Sequence, residues 1–212
     1  MSLEQRHGKA VIEWASAGRA LDDGSESGDA PMIVAFENGA LVAAIDGLGH
    51  GPEAALAART AAQILEHHAR ESVVSLVQRC HEVLRKTRGA VMSLASYDSR
   101  NSSLTWIGIG NVEGVLFRKN PRTEPRRQDI STRGGIVGYQ LPPLRATTVA
   151  ISRGDTLILT TDGIRSGFTT EVDLESNPKE TAEFILAGHA KENDDALVVV
   201  VRYLGEHHEP GV

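Results

Sequence analysis

Apolar positions along this chain recur with two periods, one of two residues and one of three to four, and the switches between them outline its elements. Short runs rich in Val, Ile and Thr at residues 10–15, 31–37, 40–45, 90–97, 103–109, 112–118, 145–151, 155–160 and 196–204 each predict a strand. Several are separated by tight Gly, Asn or Asp turns, which predict antiparallel meanders. Residues 52–69 carry an Ala/Leu/Ile face behind a first-turn Pro52 and predict a helix. Residues 72–88 repeat the longer period through Leu76, Val77, Cys80, Val83 and Leu84, and residues 178–191 through Ala182, Phe184, Ile185 and Leu186. The Asp, Ser and Gly of residues 21–28 predict a loop too short to separate domains, so residues 1–212 read as a single domain.

A helix that is apolar on one face must cover a sheet, and one sheet of so many strands would leave its other face bare. The pattern therefore predicts an α+β fold with two sheets packed face to face between helices, a four-layer α-β-β-α sandwich. With 212 residues, 41% of them apolar, the chain can bury such a core, which excludes intrinsic disorder. A formal net charge of −6 offers phosphate backbones no global attraction, which disfavours nucleic acid as a partner. The longest apolar runs, 40–45 and 196–201, fall far short of the roughly 20 residues that span a membrane. Charges occupy the start of the chain where a signal peptide would need an apolar stretch, and the single Cys80 has no partner for an internal disulfide. A cytoplasmic, reducing location is expected.

Acidic residues end or begin several of these apolar runs. Asp29 follows Gly28 and opens a strand. Asp46 closes one and begins the turn Asp46-Gly47-Leu48-Gly49-His50-Gly51, whose glycines let backbone carbonyls point at a ligand. Asp162 closes another before Gly163, and Asp194-Asp195 precedes the last. A single Asp-Gly after a strand is an ordinary turn. Four such sites can deliver hard oxygens to one end of a sheet, where they repel one another unless a divalent cation neutralises them. With no Cys pair and no His-x₃-His spacing, the oxygen set suits Mg²⁺ or Mn²⁺ and not zinc.

These residues carry a family likeness. The chain resembles the PPM-type metal-dependent serine/threonine protein phosphatases, in the short bacterial branch that includes the sporulation phosphatase SpoIIE and the stressosome phosphatase RsbX. The likeness runs from Gly28-Asp29 through the Asp46–Gly51 turn, Gly134-Gly135-Ile136-Val137-Gly138 and Thr161-Asp162-Gly163 to Asn193-Asp194-Asp195-Ala196. It implies the same four-layer sandwich with a two-metal site at one end. It further implies that Asp46 bridges two Mn²⁺ or Mg²⁺ ions, that Asp29 and the Gly47 carbonyl hold one, and that Asp162 and Asp194 hold the other. Asp195 would only orient its neighbour. Catalysis would then run through Asp46, by way of a metal-bridged water, and Asp162, with no protein nucleophile. The segment Gly110-Asn111-Val112-Glu113-Gly114 looks more like the RsbX type, which points to phosphorylated STAS-domain (antisigma-antagonist) or stressosome proteins as partners.

The remaining chemistry-bearing residues have plainer readings. His50, inside a glycine turn, reads as a local hydrogen-bonding group. Cys80 lies on an apolar helix stripe and reads as core, which disfavours a cysteine-dependent phosphatase. His67, His68, His207 and His208 read as solvated. Arg118, Lys119, Arg122, Arg126 and Arg127 surround Pro121 and Pro125 and predict a basic hairpin loop that is either solvated or docks an acidic partner. Three rival functions are a GHKL-type ATPase, a small-molecule phosphatase and a catalytically silent binding module of the PPM fold. Leu48 stands where the first needs a glycine, the second needs a substrate comparison, and acids at every expected metal position argue against the third.

Overall fold

The computed structural model describes residues 10–21 and 26–205, so the interior of the 21–28 loop and the tail bearing His207 and His208 lie outside the described residues. The chain runs β1 (Ile12–Arg19), β2 (Asp29–Phe36), β3 (Gly39–Gly47), α1 (Pro52–His67), α2 (Val73–Leu84), β4 (Ala90–Asp98), β5 (Ser103–Ile109), β6 (Glu113–Phe117) and β7 (Arg127–Asp129). It continues through β8 (Thr132–Arg133), β9 (Thr147–Ala150), β10 (Thr156–Thr160), a 3₁₀ turn (Ser166–Thr170), α3 (Pro178–His189) and β11 (Ala196–Tyr203). One sheet has the order β1-β11-β10-β6-β7 and the other β2-β3-β4-β5-β8, with β9 also pairing β5.

Alternation along the central strands creates the layers. In β3, Val42 and Ala44 face the opposite sheet, whereas Leu41, Ala43 and Ile45 face α1 and α2. In β11, Leu197, Val199 and Val201 turn inward, whereas Val198 and Val200 meet Ala182 and Ile185 of α3. Strands apolar on both faces read as unbroken hydrophobic runs, and covering both faces gives the order helices, sheet, sheet, helix. Each fully buried Leu, Ile or Val contributes about 2 kcal/mol relative to exposure. The four-layer α+β sandwich expected from the sequence is the observed architecture.

The helix ends have local causes. Gly51, at φ 76°, precedes Pro52 at the start of α1. Ser72 caps α2 by accepting from the Ser75 N–H at 3.1 Å, and Asn177 with Glu180 forms a capping box on α3. All three helices stop short of their sequence bounds. After α2 the chain turns at Thr87, and Gly89 then adopts φ 82° to enter β4. After α3, Ala190 pairs with Ile164, and the Lys191 N–H donates to the Gly163 carbonyl at 2.8 Å. Phe184, expected on the buried stripe, is 48% exposed.

Candidate active site

Antiparallel register places two of the acids face to face, because Asp29 in β2 pairs with Asp46 in β3. Beside them the Gly47 N–H donates to the Gly28 carbonyl at 3.0 Å. A side chain at Gly47 would put its Cβ 2.1 Å from the Ala54 carbonyl oxygen, so α1 rests directly on this turn only because residue 47 is glycine. In the other sheet β10 and β11 are neighbours, and the Asp162 end of one adjoins the Asp194 end of the other. The backbone is equally tight there, since a Cβ on Gly163 would lie 1.8 Å from the Asp195 carbonyl oxygen.

Thr161 joins the two sheets. Its hydroxyl donates to Asp29 Oδ2 at 2.6 Å and accepts from the Leu197 N–H at 2.9 Å. Asn111 Nδ2 donates to Asp162 Oδ2 at 2.7 Å. Asp195 is committed elsewhere, because its two oxygens accept from the Leu21 and Gly28 N–H groups at 2.7 Å each, and its own N–H donates to Asp194 Oδ1 at 3.0 Å. Sequence reasoning passed over Thr161 and Asn111. The only signals available were a hydroxyl directly before Asp162 and an amide in the Gly110–Gly114 segment.

Burial pushes the Asp46 carboxyl up to about 8, reinforced by Asp29, Asp162, Asp194 and Asp195. Burial likewise raises Asp29 to about 7, against the Thr161 hydrogen bond and with the fields of Asp195, Asp162 and Asp194. Asp194 is raised by burial and then by Asp162, while Lys191 opposes the rise. Asp46 has no hydrogen-bond donor among the described residues, and a partly buried carboxylate among acids is a poor resident without a cation. Among the described residues no three His, Cys, Asp or Glu side chains are grouped so as to hold a metal ion. What they share is a field, all-oxygen chemistry and one end of the sandwich, and these suit a hard divalent ion.

Other sequence candidates make no hydrogen bond to these acids among the described residues. His50 is exposed in its turn. Cys80 is buried between α1 and α2, and burial pushes its thiol up to about 12, so it is no nucleophile. The basic cluster departs from expectation. Arg118 is buried, bonding Asp155 at 3.0 Å and the Ala150 carbonyl at 2.6 Å. Phe117 pairs with Thr156 and Glu113 with Thr160, so the 118–127 loop leaves β6 at the end far from Asp162, about 20 Å away along the strand. Part of the same stretch forms β7, whose few polar residues carry no strand period of their own.

Over 138 residues the chain is 27% identical to the phosphoserine phosphatase RsbX of Bacillus subtilis, covering 65% of this chain and 67% of that protein. A solved chain from the bacterial stressosome, described as a modular system adapted to control secondary messenger signalling, matches with TM-score 0.82 and 29% identity. That match covers 90% of this chain and 99% of the other. RsbX in complex with magnesium matches with TM-score 0.81 and 21% identity over 93% of this chain and 98% of that one. The family model for Stage II sporulation protein E matches residues 37–209, a span that holds Asp46, Asp162 and Asp194. With that span matched and the PPM phosphatase fold in place, the chain belongs to the Stage II sporulation protein E (SpoIIE) family and is a protein serine/threonine phosphatase.

Proposed function

We propose that this phosphatase, as one cytoplasmic domain, removes phosphate from Ser or Thr of a STAS-domain or stressosome protein with the help of two Mn²⁺ or Mg²⁺ ions. The observation that carries the metal assignment is Asp46, a carboxylate with no donor among the described residues that feels the field of four other acids. In this reading Asp46 would contact both ions, Asp29 and the Gly47 carbonyl would hold one, and Asp162 and Asp194 would hold the other. Asp195 takes a supporting part in this reading, because the Leu21 and Gly28 N–H groups each donate to one of its oxygens. When bound, such a pair supplies a water acidic enough to attack phosphorus and screens the phosphoryl charge. Thr161 holds Asp29 and Asn111 holds Asp162, so each fixes one oxygen and leaves the other without a hydrogen bond among the described residues.

The partner assignment rests on the likeness to RsbX and to the stressosome chain. Incubating the purified chain with phosphorylated stressosome scaffold or STAS protein should release phosphate with Mn²⁺ and none after chelation. Full activity after exhaustive chelation would overturn the metal reading. Turnover of nucleotides or other small phosphates in place of every phosphoprotein would overturn the partner.

A further inference from the structure

Beside the acidic centre lies a groove, lined by two arginines and two glutamates, that no step above uses. The segment after Asp162 runs antiparallel to the segment after α3. The Arg165 N–H donates to the His189 carbonyl at 2.9 Å, and the Lys191 N–H donates to Gly163. This stitching brings three cations together. Lys191 Nζ donates to the Asp162 carbonyl at 2.5 Å, Arg165 Nη2 to the Ala190 carbonyl at 3.2 Å, and Arg19 to the Lys191 carbonyl. Arg19 arrives there because it pairs with Ala196 at the end of β1.

Among the described residues, none of the three has a carboxylate within ion-pair distance, and both arginines are exposed. Arg19 and Arg165 line a groove of about 450 Å³ with Leu186 and Ala187 as apolar lining. Glu183 and Glu192 line it too, although Lys179 already faces Glu183 at 3.8 Å. Those glutamates oppose a free multivalent anion. A peptide offers more than charge, because its chain can lie along the apolar lining while a single carboxylate reaches the guanidinium groups.

We infer that this groove is a specificity subsite that receives an acidic side chain close in sequence to the phosphorylated residue of the substrate. The inference rests on the phosphatase reading for its reaction. On a chain of net charge −6 with an acidic centre, Arg19 and Arg165, which have no ion pair among the described residues, place guanidinium groups beside that centre, and charges so placed select partners more than they add affinity.

The test compares phosphoserine peptides flanked by Asp, by Ala or by Lys, with the metal-loaded full chain. The parent should prefer the Asp-flanked peptide in kcat/KM by about fivefold, the size expected of two exposed ion pairs, and lose that preference at high salt. Arg19→Ala with Arg165→Ala should bring the ratio to about one. Arg19→Glu with Arg165→Glu should reverse it in favour of Lys. A ratio within one variant cancels general damage to the fold. Equilibrium binding of the same peptides carrying a non-hydrolysable phosphonate reads the groove without turnover. Binding preference without hydrolysis of any peptide would sink the phosphatase reading and keep the groove. Hydrolysis without preference, or a preference that survives charge reversal, would sink the groove alone.

Discussion

Asp46→Asn should stabilise the metal-free protein at neutral pH while abolishing its turnover. Burial and then the carboxylates of Asp29 and Asp162 push the Asp46 carboxyl from its ordinary 3.8 up to about 8. The unfolded chain releases this proton near 3.8, whereas the folded chain keeps it until about 8. Between those values the folded state binds more protons, so stability falls as pH rises, and it levels off above the folded value. At pH 7 roughly three units of that window have been crossed, which at about 1.36 kcal/mol per unit sets a ceiling of about 4 kcal/mol. Asp29, raised to about 7, titrates with Asp46, so the penalty is shared between the two and not doubled. Water at the half-exposed edge of the site screens it further, to about 2 kcal/mol. For a chain of this length that corresponds to about 4–8 °C in Tm. Thermal and urea unfolding followed by circular dichroism in a chelator should show the parent weakening from pH 4.5 to 7.5, with the Asn variant gaining on it across that range. Mn²⁺ should raise the Tm of the parent more than that of the variant. A variant that melts below the parent at pH 7.5, or that keeps the parent's pH slope, would refute the electrostatic account of this residue.

Three further outcomes are expected. Thr161→Val removes the hydroxyl between Asp29 and the Leu197 N–H, and should cost about 1–2 kcal/mol in urea unfolding and weaken Mn²⁺ binding about tenfold by calorimetry. Parent-like metal affinity would remove Thr161 from the site. Gly47→Ala drives a methyl into the Ala54 carbonyl and should destabilise the fold by about 3 kcal/mol, or expel α1 with loss of activity; a parent-like melt and rate would contradict the close approach. Iodoacetamide should leave activity intact and label Cys80 only on unfolding, as read by mass spectrometry, because the thiol is buried and held near 12.

The layers were legible because β3 and β11 are apolar on both faces, and that is visible in the sequence as unbroken runs. The acids were legible because each stands at the end of such a run beside glycine or another acid. What the chain order hides is which hydrogen bonds cross between sheets. Thr161 looks like one more strand threonine until the sandwich sets it against Asp29. The 118–127 segment misled for a similar reason. Clustered positive charge along the chain does not reveal that Arg118 turns inward to Asp155, nor that the loop departs from the end of the sheet away from Asp162. Arg19, Arg165 and Lys191 are the converse case, since they are scattered over 172 positions and adjacent in space.

The bonds of Asp195 to Leu21 and Gly28 tie positions 174 and 167 residues apart, and the strand that follows Asp195 lies between β1 and β10. This sets an order of events during synthesis. Until β11 has emerged from the ribosome, β1 has no neighbour in its sheet, Thr161 lacks the Leu197 N–H, and Asp194 is not held beside Asp162. A nascent chain of this family member therefore has no working hydrolase to release early, and catalytic competence arrives together with completion of the fold.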